Sequence, residues 1–312
     1  MKFFISADWG TTHLRLRIVD RDRQAVIREV RSTHGIAATY EQWRNSGQAP
    51  ATRLSFYQEI LVREIRRLGD LPQGLPLVVS GMASSSIGMV ELPYKAVPFD
   101  INGTDLERAV LAASDTFPYR ILLISGVRTD EDVMRGEETQ LIGCRSAGNG
   151  MRLYIVPGTH SKHIYVKEGN AVDFYTYMTG ELFHLLSTKS ILAASVAAGE
   201  GMPALLLPAF RAGVIQGRNA DLLHSAFLVR TNQLLGGYSP ADNYHYLSGL
   251  LIGEELRKIA GETMAVTIVC ADGLKEQYLS ACQALHITDV HFVDADQALI
   301  AGHCLLLGNE FQ

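Results

Sequence analysis

Four cysteines are all that this 312-residue chain contains, Cys144, Cys270, Cys282 and Cys304, and no two of them form a C-x-x-C spacing. Isolated thiols of this kind make neither a disulfide framework nor a thiolate zinc site, and they suit a reducing cytoplasm. Positive charge is also scarce. Lys and Arg number 28 against 33 Asp and Glu, a formal net charge of −5, which is the wrong sign for the basic stripe that nucleic acid requires. No apolar run approaches the roughly 18 residues of a membrane span. At the start, Lys2 and the short run Phe3-Phe4-Ile5 precede Asp8, far short of a secretion signal. The expectation is a cytoplasmic protein without a membrane or nucleic-acid partner. Three common active-site signatures are missing as well: G-x-x-x-x-G-K-[ST], a G-x-G-x-x-G after a strand, and G-x-S-x-G.

What is present can fill an interior, since 47% of residues are hydrophobic and only 20% charged, and the length is comfortable for two lobes. The apolar run Phe3–Ala7 ends at Asp8-Trp9-Gly10-Thr11-Thr12. Leu14, Leu16 and Ile18 then alternate with Arg15 and Arg17, a period of two that predicts a second strand after a Gly-bearing turn. A polar turn at 20–24 and a third strand over 25–30 complete a meander. Helical spacing follows over 54–68, with short buried strands at 77–79 and 121–124. The acidic segment 129–138 reads as a loop leading into a helix at 139–144.

The second half repeats the opening. Strand 153–156 runs into Pro157-Gly158-Thr159-His160-Ser161, then strands follow at 163–166 and 171–175 around a Glu168-Gly169-Asn170 turn. With Gly10-Thr11 set over Gly158-Thr159, Ala25-Val26 falls near Ala171-Val172 after a two-residue shift. Such an internal echo reveals how a fold is organised. Further helices are expected over 244–259 and 297–307, and a strand over 266–269. Mixed elements around repeated meanders indicate α/β lobes, with a boundary near 147–151.

Phosphates are bound by backbone N–H groups on tight Gly turns. One D-x-G-T-T turn is a weak signal, because an ordinary Gly turn between strands reads the same way; a second matching turn at Gly158 strengthens the case for a bound triphosphate. Asp8 stands where a carboxylate could hold Mg²⁺ through water. Arg135-Gly136-Glu137-Glu138 reads either as the acidic start of a helix or as a general base for phosphoryl transfer. Two metal-like spacings, His160-x-x-His163 and Glu181-x-x-His184, are weak. Three-residue spacing on a strand puts the two histidines on opposite sides. Ser84, Ser85 and Ser86 read as a polar turn or as a substrate lip.

The ordered set Asp8-Trp9-Gly10-Thr11-Thr12, Gly136-Glu137-Glu138-Thr139-Gln140, Pro157-Gly158-Thr159-His160-Ser161-Lys162, Ala271-Asp272-Gly273 and Ala298-Leu299-Ile300-Ala301-Gly302 resembles the actin/hexokinase/Hsp70-like ATPase superfamily. More narrowly, Asp132–Gly143, Met178-Thr179-Gly180-Glu181-Leu182, Leu247–Gly253 and Glu91-Leu92-Pro93-Tyr94 resemble the 2-dehydro-3-deoxygalactonokinase family over the whole chain. The resemblance implies an α/β, two-lobed ribonuclease H-like (actin-like ATPase) fold, each lobe a mixed sheet flanked by helices, with the active site in the cleft between lobes 1–147 and 148–312. Residues 296–312 would be a connecting helix returning to the first lobe.

It also implies an ATP- and Mg²⁺-dependent kinase acting on the 6-hydroxyl of 2-dehydro-3-deoxy-D-galactonate. Kinases of related sugars or 2-keto-3-deoxy acids, and a non-catalytic nucleotide-binding regulator, are the alternatives. By the same resemblance Gly10, Thr11, Thr12, Gly158 and Thr159 would hold phosphates, Asp8 the Mg²⁺, and Asp272 and Gly273 the nucleoside. Glu137 would be the base, with Glu138 in play. Arg135 would meet the substrate carboxylate or developing phosphate charge, and Ser84, Ser85 and Tyr94 would line the sugar-acid pocket. The expected partner is that small acid, with a homodimer left open.

Overall fold

Parallel strands buried on both faces read as near-continuous apolar runs, and three such runs form the centre of the first half of this computed structural model, which describes residues 2–72, 74–144, 150–199, 207–219 and 221–310. The elements begin with β1 (Phe3–Trp9), β2 (Leu14–Asp20), β3 (Ala25–Ser32), α1 (Ile36–Asn45), α2 (Arg53–Arg66) and β4 (Leu77–Gly81). Short strands follow: β5 (Lys95–Ala96), β6 (Phe99–Asp100), β7 (Arg108–Leu111), β8 (Ile121–Ile124), β9 (Val127–Arg128) and β10 (Val133–Met134). Next come α3 (Glu137–Cys144), β11 (Met151–Val156), β12 (Ser161–Lys167), β13 (Asn170–Tyr177) and α4 (Thr179–Thr188). The chain continues with α5 (Leu207–Asn219), α6 (Leu222–Leu234), α7 (Pro240–Leu256), β14 (Ala265–Cys270), α8 (Asp272–Ala284), β15 (Val290–Asp294) and α9 (Ala295–Glu310).

Two compact units result. Unit 1 comprises Met1–Asn149, Lys167–Asp173 and Asp296–Gln312, and unit 2 comprises Gly150–Val166 and Phe174–Ala295. The expected boundary between residues 147 and 148 lies outside the described residues.

Unit 1 carries a six-stranded sheet of order β3-β2-β1-β4-β8-β7. β1, β4 and β8 are parallel, and β2, β3 and β7 are antiparallel additions. Ile5, Ala7, Leu77, Val79, Ile121 and Leu123 pack on Leu61, Ile65 and Tyr57 of α2, all buried. The outer strand β3 is exposed along most of its length and bears Arg28, Glu29 and Arg31, charges that suit a sheet edge. The arginine side of β2 differs from a solvated face. Arg17 is buried, with Nε 2.7 Å from Glu29 and Nη2 2.8 Å from Asp296, so both faces of that strand are covered and the charge is neutralised by carboxylates. The acidic segment expected as a loop contains the hairpin β9–β10, and α3 starts two residues earlier than its apolar spacing suggests. The first residues of β13, Asn170 and Ala171, pair with β6 within unit 1.

In unit 2 the strands run β15-β14-β11-β12-β13, with β11, β14 and β15 parallel. α7 is buried almost throughout. It begins four residues before the expected Tyr244 because Ser239 and Asp242 form a reciprocal capping box with Pro240 in the first turn, a strong start signal. Its Gly249 and Gly253 face α5 so closely that an added Cβ would lie 2.1 Å from the Phe210 carbonyl oxygen or 2.2 Å from that of Val214. Only glycine allows the two backbones to meet there. Among the described residues, no helix is long and apolar enough to cross a membrane.

Candidate functional site

The turn joining β1 to β2 is held from within. The Gly10 amide donates to the His13 carbonyl at 3.0 Å, while the carbonyls of Gly10 and Thr11 accept from the Ile36 and Ala37 amides at the start of α1. Trp9 Nε1 donates to the His34 carbonyl at 2.7 Å. Thr11, Thr12 and His13 are exposed, so the hydroxyls of the turn face outward while the Gly10 amide closes the hairpin. Asp8, next to last in β1, is in register with Arg15 of β2 and Ser80 of β4. Burial raises its carboxyl above the ordinary range, against the pull of the Arg15 and Arg17 guanidinium groups.

Beneath it lies a residue that sequence reading missed. His303 of α9 is fully buried, with Nδ1 2.8 Å from Ser6 Oγ and Nε2 3.0 Å from Ser80 Oγ. Burial and the nearby Arg17 push it down to about 3, so it is neutral and ties α9 to β1, which carries Asp8, and to β4. The signal was a lone polar residue in the apolar run Ala298–Leu307.

Two of the predicted residues in unit 1, Ser84 and Tyr94, meet the Arg135 guanidinium. Its Nη1 donates to the Ser84 carbonyl at 2.8 Å and to Ser84 Oγ at 2.5 Å, and its guanidinium lies 4.1 Å from the centre of the Tyr94 ring. Ser84 Oγ in turn donates to the Ile124 carbonyl at 2.6 Å, and Ser85 Oγ donates to the Met82 carbonyl. Both serines are buried and their hydroxyls are engaged by protein, so Ser84 fixes Arg135 and neither serine forms an exposed lip.

Gly136 follows with φ +114°, a conformation natural to glycine, and it turns the chain into α3. Glu137 Oε2 accepts from the Arg135 amide at 3.0 Å, and Glu138 Oε2 accepts from the Gly136 amide at 2.7 Å. The two carboxylates differ in surroundings. Glu138 is fully buried, and burial, then the neighbouring Glu137 charge, pushes it up to about 7. Glu137 is only partly buried and keeps the access that a proton acceptor needs.

Unit 2 holds a cavity of about 410 Å³. One wall is the turn Pro157-Gly158-Thr159, and a second is Thr179, Gly180 and Phe183 of α4. Tyr244, Ser248, Leu251 and Ile252 of α7 and Leu274, Gln277 and Tyr278 of α8 complete it. The turn and α4 touch backbone to backbone: a Cβ on Gly180 would lie 2.4 Å from the Gly158 carbonyl oxygen, and the Glu181 amide donates to the Thr159 carbonyl at 3.0 Å. A Cβ on Gly158, by contrast, would meet nothing within 4 Å; the turn faces open space. Asp272 and Gly273 open α8 and are exposed, one turn from Gln277. Aromatic and aliphatic walls with few polar groups suit a flat, heteroaromatic ligand.

The metal-like spacings resolve differently. His160 Nε2 pairs with Glu181 at 2.5 Å on the surface, whereas His163 is buried against Glu255 at 3.1 Å. Glu255 is the second residue missed. It closes the apolar run of α7, and Ser161, His163, Thr179 and Tyr278 all bond to it.

Compared with known proteins, residues 8–306 match the family model for 2-keto-3-deoxy-galactonokinase. The chain is 33% identical over 309 residues to a 2-dehydro-3-deoxygalactonokinase of Escherichia coli (strain K12), covering 96% of this chain and 95% of that one. A crystal structure of a candidate 2-dehydro-3-deoxygalactonokinase from Sinorhizobium meliloti superimposes with a TM-score of 0.80 at 30% identity, covering 99% of this chain and 97% of that one. The activator of the 2-hydroxyisocaproyl-CoA dehydratase from Clostridium difficile, solved with bound ADPNP, matches with a TM-score of 0.50 at 12% identity over 97% of this chain and 93% of that one, a likeness of fold.

Proposed function

The chain belongs to the 2-keto-3-deoxy-galactonokinase family, and we propose that it transfers the γ-phosphoryl group of ATP to the 6-hydroxyl of 2-dehydro-3-deoxy-D-galactonate, releasing ADP and the 6-phosphate. The observation that carries this reading is a family match spanning residues 8–306, supported by relatives of nearly equal length. The unit 2 cavity takes the nucleoside, with Gly158 and Thr159 against the phosphates. Its open face at Gly158 and its aromatic lining support that assignment.

In phosphoryl transfer the protein positions groups, neutralises charge and accepts the hydroxyl proton. Glu137 accepts that proton; its partial exposure, against the complete burial of Glu138, supports the choice. The Arg135 fork, fixed by Ser84 and Tyr94, binds the substrate carboxylate, and Thr11 and Thr12 offer hydroxyls to phosphate oxygens. Among the described residues no three His, Cys, Asp or Glu side chains cluster as metal ligands. The Asp8 carboxylate would hold Mg²⁺ through water, since that cation keeps several waters and takes its remaining ligands from phosphates. Bound there, Mg²⁺ would neutralise phosphate charge.

The four free cysteines support a cytoplasmic location, and the exposed Ile191, Leu223, Phe227 and Leu235 support a homodimer, measurable by light scattering. The test of function is ADP release from ATP on addition of the acid. Absence of stimulation by any 2-keto-3-deoxy acid rejects the reading.

A further inference from the structure

Glu255 is a buried carboxylate with 0% of its side chain exposed, and four side chains from three other elements converge on it. Ser161 Oγ donates to Oε1 at 2.7 Å and His163 Nε2 lies 3.1 Å from the same oxygen. Thr179 Oγ1 donates to Oε2 at 2.5 Å, and the Tyr278 hydroxyl lies 3.1 and 3.0 Å from the two oxygens. A carboxylate only accepts, so this bond assigns the His163 proton to Nε2; His163 Nδ1 is buried without a hydrogen-bond partner. Burial and the adjacent carboxylate hold the Tyr278 hydroxyl well above its usual pKa, so it stays a donor.

The partners are not scattered. Ser161 and His163 lie on β12, directly after the Gly158 turn, while Thr179 begins α4 and Tyr278 belongs to α8. Thr179 and Tyr278 both line the unit 2 cavity. Glu255 itself does not line it. Both carboxylate oxygens accept hydrogen bonds, and a buried network around one carboxylate restricts the arrangement of its members; here those members carry three walls of the cavity.

We propose that Glu255 is a positioning residue for nucleotide binding: its carboxylate holds Thr179 and Tyr278, and with Ser161 the strand after the Gly158 turn, in the arrangement that accepts the nucleotide. This rests on the assignment of the unit 2 cavity to ATP. The substitution Glu255→Gln keeps the shape but replaces one acceptor oxygen by a donor that faces hydroxyl donors. KM for ATP and Kd for ADP rise at least tenfold, while kcat at saturating ATP and KM for the sugar acid stay within twofold. Tyr278→Phe, which raises KM for ATP severalfold alone, adds less than twofold in the Glu255→Gln background.

A folded Glu255→Gln enzyme whose KM for ATP changes less than twofold overturns the proposal, as do fully additive effects in the double variant. If Glu255→Gln does not fold, Thr179→Val and Tyr278→Phe carry the test, and a change below twofold in both overturns it. Gly158→Val separates the two assignments, since its side chain occupies the cavity without meeting protein at Cβ. Unchanged ADP binding in Gly158→Val, measured by calorimetry, rejects the nucleotide assignment itself. Lost binding there together with unchanged binding in Glu255→Gln rejects only the role of Glu255.

Discussion

Arg135 and Tyr94 are stacked, with the guanidinium carbon 4.1 Å from the ring centroid, while Nη1 of the same arginine is anchored on Ser84. A guanidinium held on one side by a ring and at one end by a carbonyl is pre-organised for a planar anion. Arg135→Ala is expected to raise KM for the sugar acid by roughly 10–100-fold, the loss of a charge-assisted contact worth about 1.5–3 kcal/mol, with KM for ATP within twofold. Arg135→Lys restores little of it, because lysine cannot reproduce the fork. Steady-state kinetics with each substrate varied in turn makes the distinction.

The two adjacent glutamates separate by burial. Glu137→Gln lowers kcat by about 10²–10⁴-fold, as for the loss of a general base, and leaves ADP binding within twofold. Glu138→Gln, which keeps an acceptor for the Gly136 amide, lowers kcat less than tenfold. The reverse ranking in single-turnover measurements would transfer the proton to Glu138.

Glu138 also predicts a pH dependence of stability. Its folded value of about 7 stands above an ordinary 4.5, so between those values the folded chain binds more protons than the unfolded chain. Its contribution is therefore fully present below pH 4.5 and is lost as pH rises through 7. The loss is on the order of 3 kcal/mol, from the size of that shift. In urea denaturation from pH 5 to pH 8, stability of Glu138→Gln relative to wild type rises with pH. A flat difference rejects the assignment.

Gly180→Ala tests the contact between α4 and the Gly158 turn. The new Cβ would lie 2.4 Å from a backbone oxygen, so the turn must move, costing about 1–3 kcal/mol and raising KM for ATP more than KM for the acid. Gly273→Ala is the control, because an added methyl there meets nothing within 4 Å and stability stays within about 0.5 kcal/mol. Chemical denaturation of both variants reads the difference.

The two strand–turn–strand hairpins are legible in the sequence because alternation and a Gly turn are local signals. Sequence reading places the start of α7 four residues late, at 244, because its apolar spacing begins only there, whereas the helix starts at the Ser239-Pro240 cap. Contacts between distant residues are another matter. Glu255 and Ser161 meet across 94 positions, and His303 meets Ser6 across 297; no local pattern marks Glu255 as more than the polar end of an apolar helix. Ser84 reads as part of a polar turn or a substrate lip, but the short turn Met82–Ser84 after β4 places it in the interior against Ile124 and Arg135. Burial likewise distinguishes Glu137 from Glu138, which share composition and a helix start.

The most direct test is ADP release by the purified chain with ATP and Mg²⁺ on addition of 2-dehydro-3-deoxy-D-galactonate, its gluconate-derived epimer, or plain sugars, with the phosphorylated position read by ³¹P NMR. The account predicts that the galactonate acid stimulates ADP release and that the product carries phosphate on O6. ADP release that none of these acids stimulates would contradict it.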